Sequence, residues 1–368
     1  MNKLKIALFI PTLAGGGAEK VFLRLAVEFY GRGHDVELVL INKKGPYLKD
    51  VPKEIKIVDL KAGRALFSIR KLTEYVKKNQ PDVMLSAMPH CNLVAAWAKM
   101  LTKEKFTLFL TERNYFSLSN KKEKIHKRVM YPLLIKWFYP RSDKIIALSE
   151  EMRKDLVDNL KIPEQKTKTI YNPVVDKSIE KKAGEKVEHP FYKEKKSRII
   201  IGVGRLTEQK NFPVLVKAFN KINQKQKNTR LIILGEGEER QNLERLIQKL
   251  DIKEKVSLPG FVDNPYKYMA QADVFVLSSL WEGLPGVLIE ALACGTQVVS
   301  TDCKSGPREI LQEGKYGRLV PMNDKLALAK AIKETLDAPV DNDMIKTRTK
   351  DFRVEKITEK YLDVMGVN

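Results

Sequence analysis

The chain has 368 residues, 43% of them hydrophobic, and carries a formal net charge of +21 at pH 7. This length exceeds what one hydrophobic core usually supports, so we expect two domains, and the composition excludes a disordered, fibrous or disulfide-dense protein. No segment reaches the roughly 18 consecutive apolar residues of a membrane-spanning helix, and the three cysteines lack the C-x-x-C spacing of a zinc ribbon. These features predict a protein of the reducing cytoplasm.

The positive charge is concentrated in the first half of the sequence. Residues 1–175 carry 33 Lys and Arg against 18 Asp and Glu, whereas residues 176–368 carry 34 against 28. Such an excess indicates an anionic partner, either nucleic acid or an acidic membrane surface. We expect no nucleic-acid partner, because no recognised nucleic-acid-binding pattern accompanies the charge.

Strand-like and helix-like segments alternate along the first half. The hydrophobic patterns predict strands over 5–10, 36–41, 83–87, 107–111 and 144–148, and helices over 19–30, 93–101 and 150–160. This alternation predicts βαβ units around a parallel sheet.

The pattern restarts after residues 173–197, which are expected to form a linker because their lysine- and glutamate-rich sequence has no apolar period. Strands are predicted over 199–203, 231–234, 256–258, 274–277 and 298–300, and helices over 212–222, 239–250 and 287–293. We therefore predict two Rossmann-like, doubly wound α/β domains, 1–172 and 198–351, with a helix over about 352–368 packing back onto the first. Substrates would bind at the carboxyl ends of the strands, in a cleft between the domains.

A glycine-rich turn, Gly15-Gly16-Gly17, lies between the first predicted strand and the helix that contains Glu19. Glycines at this position let backbone N–H groups approach an anion at a helix N-terminus. The alternative is a tight turn without a ligand. The turn matches neither the G-x-G-x-x-G dinucleotide fingerprint nor a P-loop.

Two cations and two acids follow strands of the second half. Arg205 and Lys210 come after its first strand, where they would suit a diphosphate whose charge must be neutralised, and Glu282 and Glu290 follow a later strand. Eight residues of helix span roughly 12 Å, too far for an acid/base pair acting on one bond, so the two acids resemble hydroxyl acceptors at the ends of a long ligand. A solvated loop and a capping acid beside a solvated helix acid are the alternatives.

Together these motifs resemble, in order and across essentially the whole chain, the family 4 glycosyltransferases of the GT-B fold. The resemblance extends to Tyr171–Val174 at the junction, to Pro259–Val262 and to residues 291–296. It implies that Arg205 and Lys210 hold the donor diphosphate, Glu290 the ribose and Glu282 the transferred sugar. Similar enzymes retain the anomeric configuration without a metal, so no metal and no cofactor are expected.

The resemblance also implies further donor contacts and a catalytic group. The additional donor-binding residues would be Gly16, Gly17, Gly260, Phe261, Gly283, Leu284 and Pro285. His90, which would act with Glu282, Arg205 and Lys210 in catalysis, could orient the donor or stabilise charge, although a lone histidine is also often structural. The Asp-x-Asp triplet at 341–343 is expected to cap a helix rather than to bind a metal.

The acceptor side is expected in the first domain. Glu19, Glu112, Arg113 and Asn114 are the predicted acceptor contacts. The basic residues 121–128 and the aromatic and aliphatic residues 131–139 are typical of a membrane interface, although an ordinary solvated helix face is the alternative. We expect an enzyme bound peripherally to the inner face of the cell membrane, with a glycan or lipid-linked glycan as acceptor.

The expected activity is sugar transfer from a nucleotide-diphosphate sugar, a UDP-sugar in preference to GDP-mannose, in cell-surface polysaccharide or glycoconjugate assembly. Two other interpretations remain open. A sugar-nucleotide epimerase would bind a similar donor but would need acids that move a proton on the sugar. A non-catalytic basic protein of the membrane surface would keep the scaffold without needing the four charged residues.

Overall fold

The computed structural model describes residues 3–113, 115–117, 125–339 and 341–367. The chain divides into two units. The first comprises the residues up to Pro173 together with the C-terminal segment from Val354, and the second comprises Val174–Arg353. Among the described helices, none is both long enough and apolar enough to cross a lipid bilayer.

Within the described residues, the first unit contains a seven-stranded, fully parallel sheet in the order β3-β2-β1-β4-β5-β6-β7. The strands are β1 (Lys5–Ile10), β2 (Asp35–Leu40), β3 (Lys56–Asp59), β4 (Val83–Ala87), β5 (Thr107–Glu112), β6 (Lys144–Ala147) and β7 (Thr167–Thr169). The central strands are continuous apolar runs because helices cover both faces of the sheet.

The helices of the first unit connect these strands. They are α1 (Gly17–Gly31), α2 (Ser68–Asn79), α3 (Pro89–Leu101), α4 (Ile125–Phe138), α5 (Glu150–Asp158) and the C-terminal helix Val354–Met365. The C-terminal helix contacts α1, and its Ile357, Tyr361 and Leu362 are buried in the same core cluster as Ile6 and Phe22. The last residues of the chain therefore complete the core of its first unit.

Over the described residues, the second unit contains a six-stranded parallel sheet in the order β10-β9-β8-β11-β12-β13. The strands are β8 (Arg198–Val203), β9 (Thr229–Leu234), β10 (Val256–Gly260), β11 (Val274–Leu277), β12 (Gln297–Thr301) and β13 (Arg318–Val320). The order reverses direction between β8 and β11, and ligands of such sheets bind at this switch point.

The helices of the second unit begin where a linker was expected. They are α6 (Lys177–Ala183), α7 (Pro190–Lys193), α8 (Phe212–Lys225), α9 (Arg240–Lys249), α10 (Pro265–Ala270), α11 (Gly286–Ala293), α12 (Pro307–Ile310), α13 (Lys325–Asp337) and α14 (Asn342–Thr349). Residues 173–197 are not a free linker: Asp176 caps α6, Ile179 and Val187 are buried, and α6 packs against α10. Isolated apolar residues anchor this segment, which is why a search for periodicity overlooks it.

Candidate functional site

The loops after β8, β9 and β10 pack backbone against backbone at the carboxyl edge of the second sheet. The N–H of Gly204 donates to the carbonyl of Leu234 at 3.0 Å, and that of Gly235 donates to the carbonyl of Gly260 at 2.8 Å. A Cβ added at Gly235, where φ is +138°, would lie 1.9 Å from the Gly204 oxygen. Only glycine fits there, because any side chain would separate the loops.

Lys210 and Glu282 form an ion pair at the same edge. The Lys210 Nζ lies 2.6 Å from the Glu282 Oε1, with side chains 15% and 8% exposed. The Ser279 hydroxyl also donates to this oxygen, at 2.7 Å. Charge-assisted hydrogen bonds with so little solvent hold both groups in fixed positions.

Three hydrogen bonds join the loop that carries Lys210 to the loop that carries Glu282. The Leu280 N–H donates to the Gln209 carbonyl, and the Gln209 Nε2 donates to the Trp281 carbonyl, both at 2.8 Å. The Ser278 hydroxyl donates to the Lys210 carbonyl at 2.7 Å. These hydrogen bonds fix the backbone that carries the ion pair. A binding site that is organised before its ligand arrives needs such support.

Glu290 lies on α11, which begins just after Glu282. Its Oε1 accepts a hydrogen bond from the Tyr266 hydroxyl at 2.9 Å, which links α11 to α10. Burial, aided by Glu290, raises the pKa of Cys294 to about 12. Burial, with the nearby Glu282, also raises the pKa of Cys303. Both thiols stay protonated near neutral pH, so neither acts as a thiolate nucleophile.

In the first unit, Gly16 and Gly17 open α1, with Gly16 as its N-cap. A Cβ at Gly16 would lie 2.5 Å from the Glu19 Oε2, so this carboxylate fills the space beside the helix N-terminus. Glu19 is buried in the first turn, where the helix dipole stabilises negative charge. His90 is the second residue of α3 and is half-buried. Met88, the N-cap of α3, lies two positions before it and has a φ of +76°.

Glu112 ends β5 in the interior of the first unit. Its side chain accepts a hydrogen bond from the Tyr139 hydroxyl and another, at 3.0 Å, from the Asn92 Nδ2. Burial raises the pKa of Glu112 to about 7, although these hydrogen bonds and the neighbouring Arg113 oppose the shift. The carboxyl group is therefore held in a setting that disfavours its charge.

Arg113 has a similarly internal position. Its Nη1 donates to the Asn172 Oδ1 at 2.5 Å, and its guanidinium lies 5.2 Å from the Phe22 ring centroid. Burial lowers its pKa, while Tyr361 of the C-terminal helix and Glu112 act in the opposite direction. The side chain thus joins the end of β5 to the junction segment.

The comparison with known proteins identifies the family. Residues 15–177 match the model of Glycosyltransferase Family 4, and residues 185–352 match that of Glycosyl transferases group 1. The N-acetylgalactosamine-N,N'-diacetylbacillosaminyl-diphospho-undecaprenol 4-alpha-N-acetylgalactosaminyltransferase of Campylobacter jejuni is 32% identical over 375 residues, covering 97% of this chain and 99% of that enzyme. The chain belongs to glycosyltransferase family 4.

A further sequence relative and a solved structure are also similar to this chain. A second Campylobacter jejuni enzyme, the GalNAc-alpha-(1->4)-GalNAc-alpha-(1->3)-diNAcBac-PP-undecaprenol alpha-1,4-N-acetyl-D-galactosaminyltransferase, is 26% identical, covering 99% of this glycosyltransferase and 98% of the relative. The crystal structure of Anabaena HepE in complex with UDP matches with a TM-score of 0.80 at 19% identity, covering 99% of this chain and 100% of HepE. This structural similarity shows the fold, GT-B with two Rossmann-like domains.

The structure of the glycosyltransferase brings together some of the residues expected at the donor site. Lys210 and Glu282 are in contact, while Arg205 is exposed just beyond β8. Phe261 is 76% exposed after β10. The neighbouring expected contacts lie at two places on this edge. Gly260 is the last residue of β10, and the loop between β11 and α11 contains Gly283, Leu284 and Pro285, the N-cap of α11.

The expected acceptor contacts are placed differently. Glu112 is 1% exposed and internally hydrogen-bonded, so in this structure it supports the fold instead of presenting its carboxylate to an acceptor. The Nε and Nη2 atoms of Arg113 are also buried. Sequence could not distinguish a polar strand end that turns inward from one that faces solvent. Asn114 lies outside the described residues.

Sequence reasoning overlooked three residues of the candidate site: Ser279, Tyr266 and Ser305. Ser279 and Tyr266 hydrogen-bond the two predicted acids, and the Ser305 hydroxyl donates to the Gly283 carbonyl at 2.7 Å. The one available signal was the Ser305-Gly306-Pro307 sequence, which leads from the loop after β12 into α12. Among the described residues, no three His, Cys, Asp or Glu side chains group as a metal site.

Gly306→Ala is expected to lower both stability and donor affinity. A Cβ at this position, where φ is +92°, would lie 2.5 Å from the Pro285 Cδ and 2.7 Å from the Gly283 oxygen. We expect a loss of roughly 1–3 kcal/mol, measured by chemical unfolding, and weaker UDP binding because the 283–285 loop must move.

Gly295→Ala is the matched control. Gly295 also has a positive φ, +77°, but nothing lies within 4 Å of an added Cβ, so only backbone strain applies. Equal losses of stability and of UDP affinity in both variants would contradict the steric argument.

Proposed function

We propose that this glycosyltransferase moves a sugar from a UDP-sugar to a hydroxyl of a lipid-linked glycan, with retention of the anomeric configuration and without a metal. The observation that carries the proposal is the shielded Lys210–Glu282 pair at the carboxyl edge of the second sheet. A cation beside an acid, held by braced loops, suits a ligand that has both phosphate oxygens and sugar hydroxyls.

The donor would be bound by charge and by hydroxyl contacts. Lys210 and the exposed Arg205 would neutralise the charge of the diphosphate. This stabilisation would be strongest in the transition state, because the negative charge on the diphosphate increases as its bond to the sugar breaks. Glu282 would accept hydrogen bonds from the hydroxyls of the transferred sugar, and Glu290, oriented by Tyr266, those of the ribose. Phe261 would lie against the base.

The transfer step needs no dedicated base. The acceptor oxygen would attack the anomeric carbon from the face that the diphosphate leaves, so that a C–O bond to the acceptor forms as the C–O bond to phosphate breaks. The acceptor's proton would pass to a departing phosphate oxygen, and UDP and the glycosylated acceptor would be the products. His90 would stabilise the charge that develops on the sugar.

The acceptor assignment follows from relatives and from charge. The two Campylobacter jejuni enzymes are named for acceptors linked to undecaprenol. The positive charge of this chain is concentrated in its first half, and helix α4 of the first unit exposes Arg128 and Lys136. The basic surface of the first unit would bind the enzyme peripherally to the cytoplasmic side of an anionic membrane. An acceptor anchored in that membrane would then be close to the enzyme.

Donor identity can be tested first by a thermal-shift screen. UDP and UDP-sugars should raise the melting temperature more than GDP-sugars, since a ligand that binds only the folded state stabilises it. No shift with any nucleotide would contradict the proposed donor site.

The stereochemistry and the metal requirement need a transfer assay with a nucleotide-bound α-sugar. NMR of the product should show an α-linkage formed in EDTA. A β-linkage, or activity lost in EDTA and restored by Mn²⁺ or Mg²⁺, would overturn the retaining, metal-free mechanism. Conversion of the donor sugar to an epimer in the absence of acceptor would instead identify an epimerase.

A further inference from the structure

Helices α2, α3 and α4 form one layer of the first unit. All three connect strands in the same direction across the sheet, so right-handed crossovers place them on the same face. Helix α3 contacts both neighbours, and the Trp97 and Phe138 rings pack 5.3 Å apart between α3 and α4. The outer surface of this layer should be polar if only water faces it.

The solvent-facing side of helix α4 carries large apolar residues. Ile135 and Phe138 are buried against the unit, whereas a stripe at helical spacing is exposed. That stripe consists of Val129, Met130, Leu133 and Trp137. The Arg141 guanidinium lies 3.8 Å from the Trp137 ring centroid. At the exposed end of α4, an aromatic ring and a cation are therefore in contact, and both residue types are common at membrane interfaces.

The apolar surface continues beyond α4. Met100 and Leu101 are exposed at the end of α3, and Leu66 and Phe67, in the turn before α2, are each 65% exposed. Leu66, Phe67 and Leu101 line an open groove of about 580 Å³. Its charged edge consists of Arg70, Glu74 and Lys77, with Arg70 and Glu74 paired at 2.8 Å. Exposed apolar surface on this scale, bordered by charged side chains, marks an interaction site.

We propose that the whole α2–α3–α4 layer, with the Leu66–Phe67 turn, lies flat against an anionic lipid bilayer. The inference deepens the proposed membrane association and rests on it. The membrane contact would be made by all three helices and not by α4 alone. The first sheet, which lies beneath these helices, would then be parallel to the bilayer. Phe67 and Trp137 would be two separated points of insertion, and together they would prevent tilting.

Charge selects lipid over a second copy of this chain. The exposed Lys77, Lys103 and Lys136 belong to this layer or to its connecting loops, together with Arg70, which pairs with the exposed Glu74. Two copies that met through the face would bring like charges together, whereas anionic headgroups would neutralise them while the apolar side chains reach the acyl region.

The tryptophans of the chain provide a direct measurement. It has three, Trp97 and Trp137 in this layer and Trp281 in the second unit. In variants that retain one tryptophan each, the others being replaced by Phe, vesicles of phosphatidylglycerol and phosphatidylcholine with brominated acyl chains should quench Trp97 and Trp137 but not Trp281. Quenching of Trp137 without Trp97 would overturn the broad face in favour of α4 alone.

A second measurement concerns the turn before α2. The Leu66→Ser/Phe67→Ser variant should bind anionic vesicles at least about tenfold more weakly, because it removes apolar surface without changing charge. Leu326→Ser, at an exposed apolar residue of the second unit, is the matched control and should bind as wild type. Equal binding by all three proteins would contradict the proposal.

The result is separable from the proposed sugar transfer. The UDP-induced thermal shift should be the same in the Leu66→Ser/Phe67→Ser variant and in wild type, since the substitutions lie in the other unit. If UDP fails to stabilise wild type while the quenching pattern holds, the donor assignment fails and the membrane face stands. A wild-type dimer that this variant converts to monomer in solution would identify a second copy as the occupant and overturn the lipid assignment.

Discussion

Lys210→Met is expected to lower turnover by about 100-fold to 1,000-fold, the usual effect of removing one preorganised group that stabilises transition-state charge. The Lys210 Nζ lies 2.6 Å from Glu282, so the substitution also leaves a largely buried carboxylate without its cation. We therefore expect a loss of stability of about 3 kcal/mol as well. Steady-state kinetics and chemical unfolding measure the two effects separately.

The double variant Lys210→Met/Glu282→Gln distinguishes these effects. Removing both charges should recover most of the lost stability, because no unpaired carboxylate remains, but should recover none of the turnover. Lys221→Met, at an exposed lysine of α8, is the control and should match wild type in both measurements. Normal turnover in Lys210→Met would remove this residue from the site.

Glu112→Gln is expected to change the pH dependence of folding. The pKa of Glu112 is raised from 4.5 to about 7 in the folded protein. Between these values the folded state retains a proton that the unfolded state has lost, so wild-type stability should fall as pH rises from about 4.5 to 7. The difference between the two pKa values corresponds to a total of about 3 kcal/mol.

The glutamine variant cannot ionise, so its stability should not show this fall. Relative to wild type it should gain about 1–3 kcal/mol between pH 5 and pH 8, as urea titrations at both pH values would show. Glu54→Gln, at an exposed position, is the matched control and should follow the wild-type profile. If Glu112→Gln and wild type have parallel profiles, Glu112 is ionised in the folded protein throughout.

Most of the fold could be predicted from hydrophobic patterns, because the strands inside each sheet are nearly unbroken apolar runs, such as β1 and β8. The short outer strands β3, β7 and β13, with three or four residues each, were not predicted. These segments are too short to show any hydrophobic period, and pairing with a neighbouring strand decides their structure.

The candidate site divides in the same way. The spacing of Lys210 and Glu282 after predicted strands located them at one edge of a sheet, where they are in contact. Their partners were not predictable, because Ser279 and Tyr266 acquire their roles through loop and helix packing that no local pattern encodes. For Glu112 the sequence was misleading. Its position at the end of a predicted strand suggested a ligand contact, but its side chain is buried and accepts hydrogen bonds from Tyr139 and Asn92.

The return of the chain to its first unit has a consequence for biosynthesis. Ile357, Tyr361 and Leu362 belong to the same core as β1, so this hydrophobic interior stays incomplete until the helix Val354–Met365 has left the ribosome. The second unit, Val174–Arg353, is continuous and is synthesised entirely before that moment. In the cell, therefore, the half that is made first is the half that finishes folding last.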